Sequence, residues 1–232
     1  MTEVVQLLLV RGLLDASAVR SGYLDLPAVV QEVIRRRIEP LSPAGRRVLA
    51  AAAVIGREFE IGVLARVVAL PVEEVFLELA AAVRLGAIGE VAERPGGFRF
   101  AHALLQETLH ADLGTAARAE LHRATGAALE AVHAEALDPV LGDIAHHYFE
   151  AAPLGTLPKA IEFATRAGQH AFGQLGYGEA AGHFERALQA SRGTSVSADA
   201  RLAILLPLGS AQQAAGDAEG ASASEERTIW RL

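Results

Sequence analysis

From Leu157 onward, small residues recur at helical spacing on two consecutive segments, and this pattern restricts the fold more than any other feature of the chain. Ala164, Ala167, Gly168 and Ala171 fall on the first segment; Ala180, Phe184 and Ala187 fall on the second, and Gly176 and Gly178 supply the turn between them. Small side chains let two helix backbones approach closely, and Phe184 fills the space they leave. Helix pairs of this kind stack into a repeat array. The composition agrees: hydrophobic residues make up 51% and aromatics only 5%, which favours helices packed through Ala and Leu over an aromatic-rich β-sandwich.

A second copy of the pattern is expected from near Leu205, with Gly209 in the role of Gly168 and Ala221 in that of Ala180, after a linker lengthened by residues 193–199. The copy then loses its apolar stripe. Glu225 falls where Phe184 stood, Thr228 replaces Ala187, and residues 222–232 are polar until Trp230. The expectation is a repeat region over 113–232 that is incomplete at its C-terminus, in a chain truncated or frame-altered from something longer.

The first half reads differently. Residues 3–14 form a short apolar helix candidate. Pro27 starts another, with Val29, Val30, Val33, Ile34 and Ile38 at helical spacing, the run Arg35-Arg36-Arg37 on its exposed side and Pro40 at its end. Ser42 with Pro43 is an N-cap followed by proline at the first helical position. That helix carries Val48, Leu49, Ala52 and Ala53 and stops at Gly56. A second runs from about Glu60 to Ala69. Pro71 begins a third, with Val72, Val75, Phe76, Leu79, Ala80 and Val83 on one face. Residues 87–91 and 97–100 then alternate apolar and polar around Arg94-Pro95-Gly96-Gly97, which predicts a β-hairpin. Three helices followed by a hairpin is the order of a winged helix. Helices are expected again over 101–113, over 115–136 with Leu121, Ala124, Ala128, Leu129 and Val132 as core stripe, and over 139–151, where Pro153 and Gly155 break the chain. The predicted fold class is therefore mainly α: a winged-helix-like module of three helices plus a β-hairpin, then an α-solenoid of TPR-like helix pairs.

Charge and composition bear on function. The 232 residues carry a formal net charge of −7. An acidic balance argues against a general nucleic-acid binder, which needs a basic face to displace counterions. No apolar run approaches the roughly 20 residues of a spanning helix, and the first ten residues lack the basic region of a signal peptide; a soluble, cytoplasmic protein is expected. The absence of cysteine excludes disulfides and Cys-ligated zinc.

Catalytic motifs are missing. A phosphate-binding loop needs G-x-x-x-x-G-K-[ST], yet no Gly-Lys pair occurs and the single lysine, Lys159, follows Pro158. No G-x-S-x-G elbow is present. The eight histidines, His102, His110, His122, His133, His146, His147, His170 and His183, show neither HExxH nor i, i+4 spacing. They are expected to be partly buried or capping residues rather than metal ligands. Glu73, Glu74 and Glu78 read as a solvated face. As a DNA-reading helix the third helix would set those carboxylates against phosphates with only Arg84 in favour.

The residues Leu26-Pro27, Val33-Ile34-Arg35-Arg36-Arg37-Ile38, Leu41-Ser42-Pro43, Arg47-Val48-Leu49 and Ala52-Ala53-Val54-Ile55-Gly56-Arg57-Glu58-Phe59, together with Phe98-Arg99-Phe100-Ala101-His102-Ala103-Leu104-Leu105-Gln106-Glu107-Thr108-Leu109, resemble the segment that follows the ATPase core in bacterial STAND-type predicted ATPases. These proteins include LuxR-family regulators and ATPases associated with adenylate or guanylate cyclases. The resemblance covers about residues 4–221. It implies a helical remnant of the core over 1–40, a winged-helix-like domain over 41–112 and a TPR-like region over 113–232. It also implies that ATP or ADP belongs to a core upstream of this chain, so no cofactor is expected here. Arg57 and His102 are the positions expected to face that core.

The expected function is that of a non-catalytic regulatory and protein-interaction portion of a signalling ATPase. It would relay nucleotide state and bind a protein partner or small-molecule inducer on its helical repeats, with no membrane contact. A DNA-binding regulator that uses the winged helix, and a free-standing TPR adaptor, are the two other readings.

Overall fold

The computed structural model describes residues 36 and 38–216. The helices expected over 3–14 and from Pro27, and the expected roles of Ala221, Glu225, Thr228 and Trp230, lie outside the described residues, apart from Arg36 and Ile38. The described residues are mainly helical with one small sheet.

The first half follows its local signals closely. Helix α1 spans Pro43–Ile55; Ser42 Oγ accepts from the Gly45 N–H at 2.8 Å, and Gly56 ends the helix at φ 147°. Strand β1 (Glu58–Glu60) leads into α2 (Ile61–Val68), and α3 (Val72–Arg84) follows Pro71. Glu73 and Glu74 sit in the first turn of α3 and Arg84 in its last, each sign suited to the helix dipole. The hairpin is β2 (Ile88–Glu90) and β3 (Gly97–Phe100), turned by Gly96 at φ 77°, a left-handed conformation that suits glycine.

Two expectations need correction here. The hairpin is part of a three-stranded antiparallel sheet in the order β1-β3-β2, with Phe59 opposite Phe98 and Ile88 opposite Phe100. A strand of three residues is too short to show alternation in sequence. On α3 the buried stripe is Val75, Leu79 and Ala82, and Val72 and Phe76, expected on the inner face, are 44% and 51% exposed. The inner face is rotated toward Ala82, because the interface with α1 and α2 is narrow and needs only one row of residues at i, i+4 and i+7.

Helix α4 (Ala103–Ala111) closes this half, whose core gathers Val48, Leu49, Leu64, Leu79, Phe98, Phe100 and Leu105. Gln106 Nε2 donates to the Ala53 carbonyl at 2.6 Å and fixes α4 on α1.

The second half is a stack of antiparallel helices: α5 (Thr115–Val132), α6 (Leu141–Glu150), α7 (Leu157–Gly173), α8 (Tyr177–Ser191) and α9 (Ala198–Ala215). Short 3-10 turns at Asp138–Val140 and Ala152–Leu154 flank α6. Each helix packs on the next from α5 onward. The close approach read from sequence is present. A Cβ placed on Gly168 would meet the Phe184 ring at 2.7 Å, and Phe184 is fully buried. Tyr148, on α6, donates to Glu130 of α5, and Lys159 Nζ of α7 lies 2.7 Å from the same carboxylate, so three helices share one polar contact.

The stripe on α5 differs from expectation. Its buried residues are Ala119, His122, Thr125, Gly126, Ala128 and Leu129; Leu121 and Ala124 are only half-buried, and Val132 is exposed. The helix is turned by about one residue, and the two polar side chains that this buries have partners. Thr125 Oγ1 donates to the Leu121 carbonyl at 2.8 Å; His122 meets other histidines. The linker expected over 193–199 is shorter than read, since Ser197 caps α9 and the helix starts at Ala198. Gly209 lies within α9.

The halves meet along α2 and α5. Leu64 and Ala65 of α2 belong to the first core, and Val63, beside them, belongs to the second, with Ala128, Ile144 and Phe184. His133 Nε2 and Glu60 Oε2, 3.7 Å apart, flank the same seam.

Candidate functional site

Helix α7 is the floor of a groove walled by α6 and α8. Ala160, Ala164, Ala167 and Ala171 line it at three- and four-residue spacing, a single face of the helix. At 1.5 Å per residue the floor runs for about 16 Å. The wider end is a cleft of about 700 Å³, the narrower end one of about 170 Å³, and His146 and Arg186 line both. These small side chains leave the floor low between two higher walls.

The walls are charged and mostly negative. Asp138, Asp143 and Glu179 line the wide end and Glu150 the narrow end, against the single guanidinium of Arg186. His170 Nδ1 lies 3.6 Å from Asp138 Oδ2, and His183 Nε2 lies 3.7 Å from Glu179 Oε1. Both separations exceed a hydrogen bond. Burial, then the Arg186 charge, hold His183 below the usual histidine range, with Glu179 opposing them. His183 therefore adds no positive charge at neutral pH, and the groove keeps a negative field. His183 also lies against Gly142, where an added Cβ would stand 2.9 Å from its ring. Chemically the groove offers acceptors for a cation and an alanine surface for apolar contact. No three His, Asp or Glu side chains among the described residues are placed to hold a metal ion.

A second constellation lies behind the groove. His146 and His147 are neighbours on α6, so their side chains diverge by about 100°. His146 is exposed in the groove, while His147 is buried. His147 Nδ1 lies 2.9 Å from Nδ1 of His122, and His122 Nε2 lies 3.5 Å from Nε2 of His110. His147 also faces the backbone carbonyl of Ile55, at the end of α1. Burial, then the neighbouring His146, His110 and Arg118, push His122 down to about 4. Burial, then His122 and His146, push His147 down to about 3, against the Ile55 carbonyl, which favours the charged form. His110 is lowered by burial and by Arg118, with Glu150 pulling the other way. At neutral pH these rings are uncharged.

The two positions singled out from sequence lie elsewhere. Arg57 is exposed between α1 and β1, and its carbonyl accepts from the Phe100 N–H at 3.0 Å. His102 is exposed at the N-cap of α4, two residues beyond Phe100. Backbone pairing thus brings both to one end of the sheet, apart from the groove and from the histidine cluster. Sequence reading missed the groove because its walls come from separate helices. It missed the cluster because its members sit on α4, α5 and α6; the adjacent pair His146-His147 was the one local signal.

Compared with protein-family models, with curated proteins and with solved structures, the chain gives no match in any of the three. No helix among the described residues is long and apolar enough to cross a membrane.

Proposed function

We propose that this chain is a non-catalytic regulatory and protein-interaction portion of a STAND-type signalling ATPase, with a winged-helix-like module over 41–112 and TPR-like repeats over 113–232, and that the α6–α8 groove is where a partner binds. The order α1-β1-α2-α3-β2-β3, with β1 beside β3, supports the winged-helix reading. The antiparallel stack from α5 to α9, with Phe184 seated on Gly168, supports the repeat reading. The observation that carries the functional reading is the groove itself: an alanine floor between walls with four carboxylates and one guanidinium. Such a surface favours a segment or inducer that presents basic groups beside small apolar ones.

The exposed side of α3 weighs against DNA binding. It presents Val72, Phe76 and Leu77 beside Glu73 and Glu74, a mixture that repels phosphates and suits contact with a neighbouring protein domain. Arg57 and His102 remain surface positions open to such a domain. Nucleotide would be handled by that domain and not by this chain.

Nucleotide titration of the purified chain by calorimetry, with a parallel phosphate-release assay, tests the non-catalytic part. No saturable heat at micromolar ATP or ADP and no phosphate release are expected. Saturable binding or turnover contradicts the proposal.

A further inference from the structure

We propose that His110, His122 and His147 form a proton-gated latch between the two halves of the molecule: a neutral, ordered hydrogen-bond relay that holds the halves together and opens when it takes up more than one proton.

The relay sits on the seam. His110 belongs to α4, which packs into the first core through Leu105 and Leu109. His122 and His147 belong to α5 and α6 of the stack. The far end of the relay is the Ile55 carbonyl, in α1 of the first half. One line of imidazoles thus runs from α4 of the first half, through α5 and α6 of the stack, to α1 of the first half.

With the Ile55 carbonyl as the acceptor for His147, the order of the hydrogens follows. A carbonyl only accepts, so His147 turns an N–H toward Ile55 and presents the Nδ1 lone pair to His122. His122 then carries its proton on Nδ1 and offers the lone pair of Nε2 to the Nε2–H of His110. Three neutral rings hold three hydrogens, and the three contacts need three. A fourth hydrogen has a place only on Nδ1 of His110, the least buried ring, with Glu150 nearby. A fifth must set one N–H against another, at the 2.9 Å contact or the 3.5 Å contact. The relay therefore accepts one proton and refuses the second.

The side-chain charges that act on the two buried rings, His122 and His147, come from basic groups and lower their affinity for a proton. Arg118 on α5 and His146 on α6 add positive potential, and Glu150 acts on His110 alone among the three. Arg66, the one ionisable residue of α2, is exposed. On α7, Lys159 is engaged with Glu130 and Tyr148, Arg166 with Glu162, and His170 with Asp138. In an open state each ring regains an ordinary affinity for protons. Below about pH 6.5, His122 and His147 then favour opening by about tenfold each per pH unit, or about a thousandfold together between pH 6.5 and 5.0. The closed relay does not titrate in that interval, since its two buried rings are held down to about 4 and about 3.

The test uses the full chain. Glu74→Cys and Gln169→Cys, both exposed and the only thiols in a cysteine-free sequence, carry spin labels on α3 and α7. The expected interspin distribution is narrow at pH 7.5 and longer and broader at pH 5.0, with helical circular dichroism retained. ¹⁵N-histidine NMR of the wild type is expected to show His122 protonated at Nδ1 and His147 at Nε2 at pH 7.5. It is also expected to show the three rings gaining charge in the same interval as the distance change. His122→Gln should reduce the pH response by about tenfold per unit; if that variant does not fold, the wild-type spectra decide. A distribution unchanged at pH 5.0, a His122 proton on Nε2 at pH 7.5, or a distance change that accompanies loss of helicity overturns the latch.

Discussion

Phe184 occupies the space in which a side chain at Gly168 would stand: an added Cβ would lie 2.7 Å from its Cε1 and 2.8 Å from its Cδ1 and Cζ. This contact brings α7 and α8, the floor and one wall of the groove, close together.

Gly168→Ala is therefore expected to destabilise the chain. Alanine gains about 1 kcal/mol of helix propensity over glycine, but overpacking against a fully buried ring costs about 1–3 kcal/mol. Thermal or urea unfolding of the variant should show a net loss. Gly173→Ala, where no atom stands within 4 Å of an added Cβ, should show no overpacking loss.

Ser42 has two tasks. Its Oγ accepts from the Gly45 N–H at 2.8 Å and donates to Glu78 Oε2 at 2.7 Å. Ser42→Ala should cost about 1 kcal/mol. Asp is ordinarily as good a cap as Ser, but here Ser42→Asp would put a second carboxylate beside Glu78. It should be less stable than wild type at pH 7 and recover with added salt, as read by urea midpoints at low and high ionic strength.

The lowered histidines predict acid sensitivity. His110, His122, His147 and His183 all bind protons less readily in the fold than in an unfolded chain. The unfolded chain therefore holds more protons below about pH 6.5, and stability must fall as pH drops through that value. Their contribution is complete above about pH 6.5 and has been lost by pH 3–4, where His122 and His147 themselves titrate. Urea midpoints at pH 7.5, 6.5 and 5.5 should be level over the first step and drop over the second. Equal midpoints at pH 6.5 and 5.5 would contradict the burial of neutral rings.

Tyr148 tests the contact shared by α5, α6 and α7. Its hydroxyl donates to Glu130 and lies 3.1 Å from Lys159 Nζ. Tyr148→Phe keeps the ring on Phe163 and removes only the hydroxyl, for a loss of about 1 kcal/mol. Lys159→Met, which removes a half-exposed partner, should cost less than 1 kcal/mol. Paired urea unfolding curves check the order of the two.

Much of the fold was legible because its signals are local. Ser42-Pro43 and the turn at Pro95-Gly96 each state their structure within a few residues, and Gly168 and Phe184 do so across one pair of consecutive helices. The strand Glu58–Glu60 was not legible, since it is defined by pairing with Gly97–Phe100 some 40 residues away. The face of α5 was misread for a related reason: polar His122 and Thr125 do not join an apolar stripe, and only the partners they meet across helices make their burial tolerable. The groove floor could be seen in the alanine spacing. Its walls could not, because Asp143 and Glu179 are brought together by the stacking of α6 and α8 on α7.

Binding of a positively charged partner segment in the groove can be read from arrays of roughly 12-residue peptides of graded net charge. These are probed with the wild-type chain and with Asp143→Lys/Glu179→Lys, two residues on the wall of the wide cleft. Wild-type retention is expected to rise with peptide positive charge, to weaken with added salt, and to be lost in the double variant while its thermal midpoint stays within a few degrees of wild type. Retention that ignores peptide charge, or that survives in a folded double variant, would contradict it.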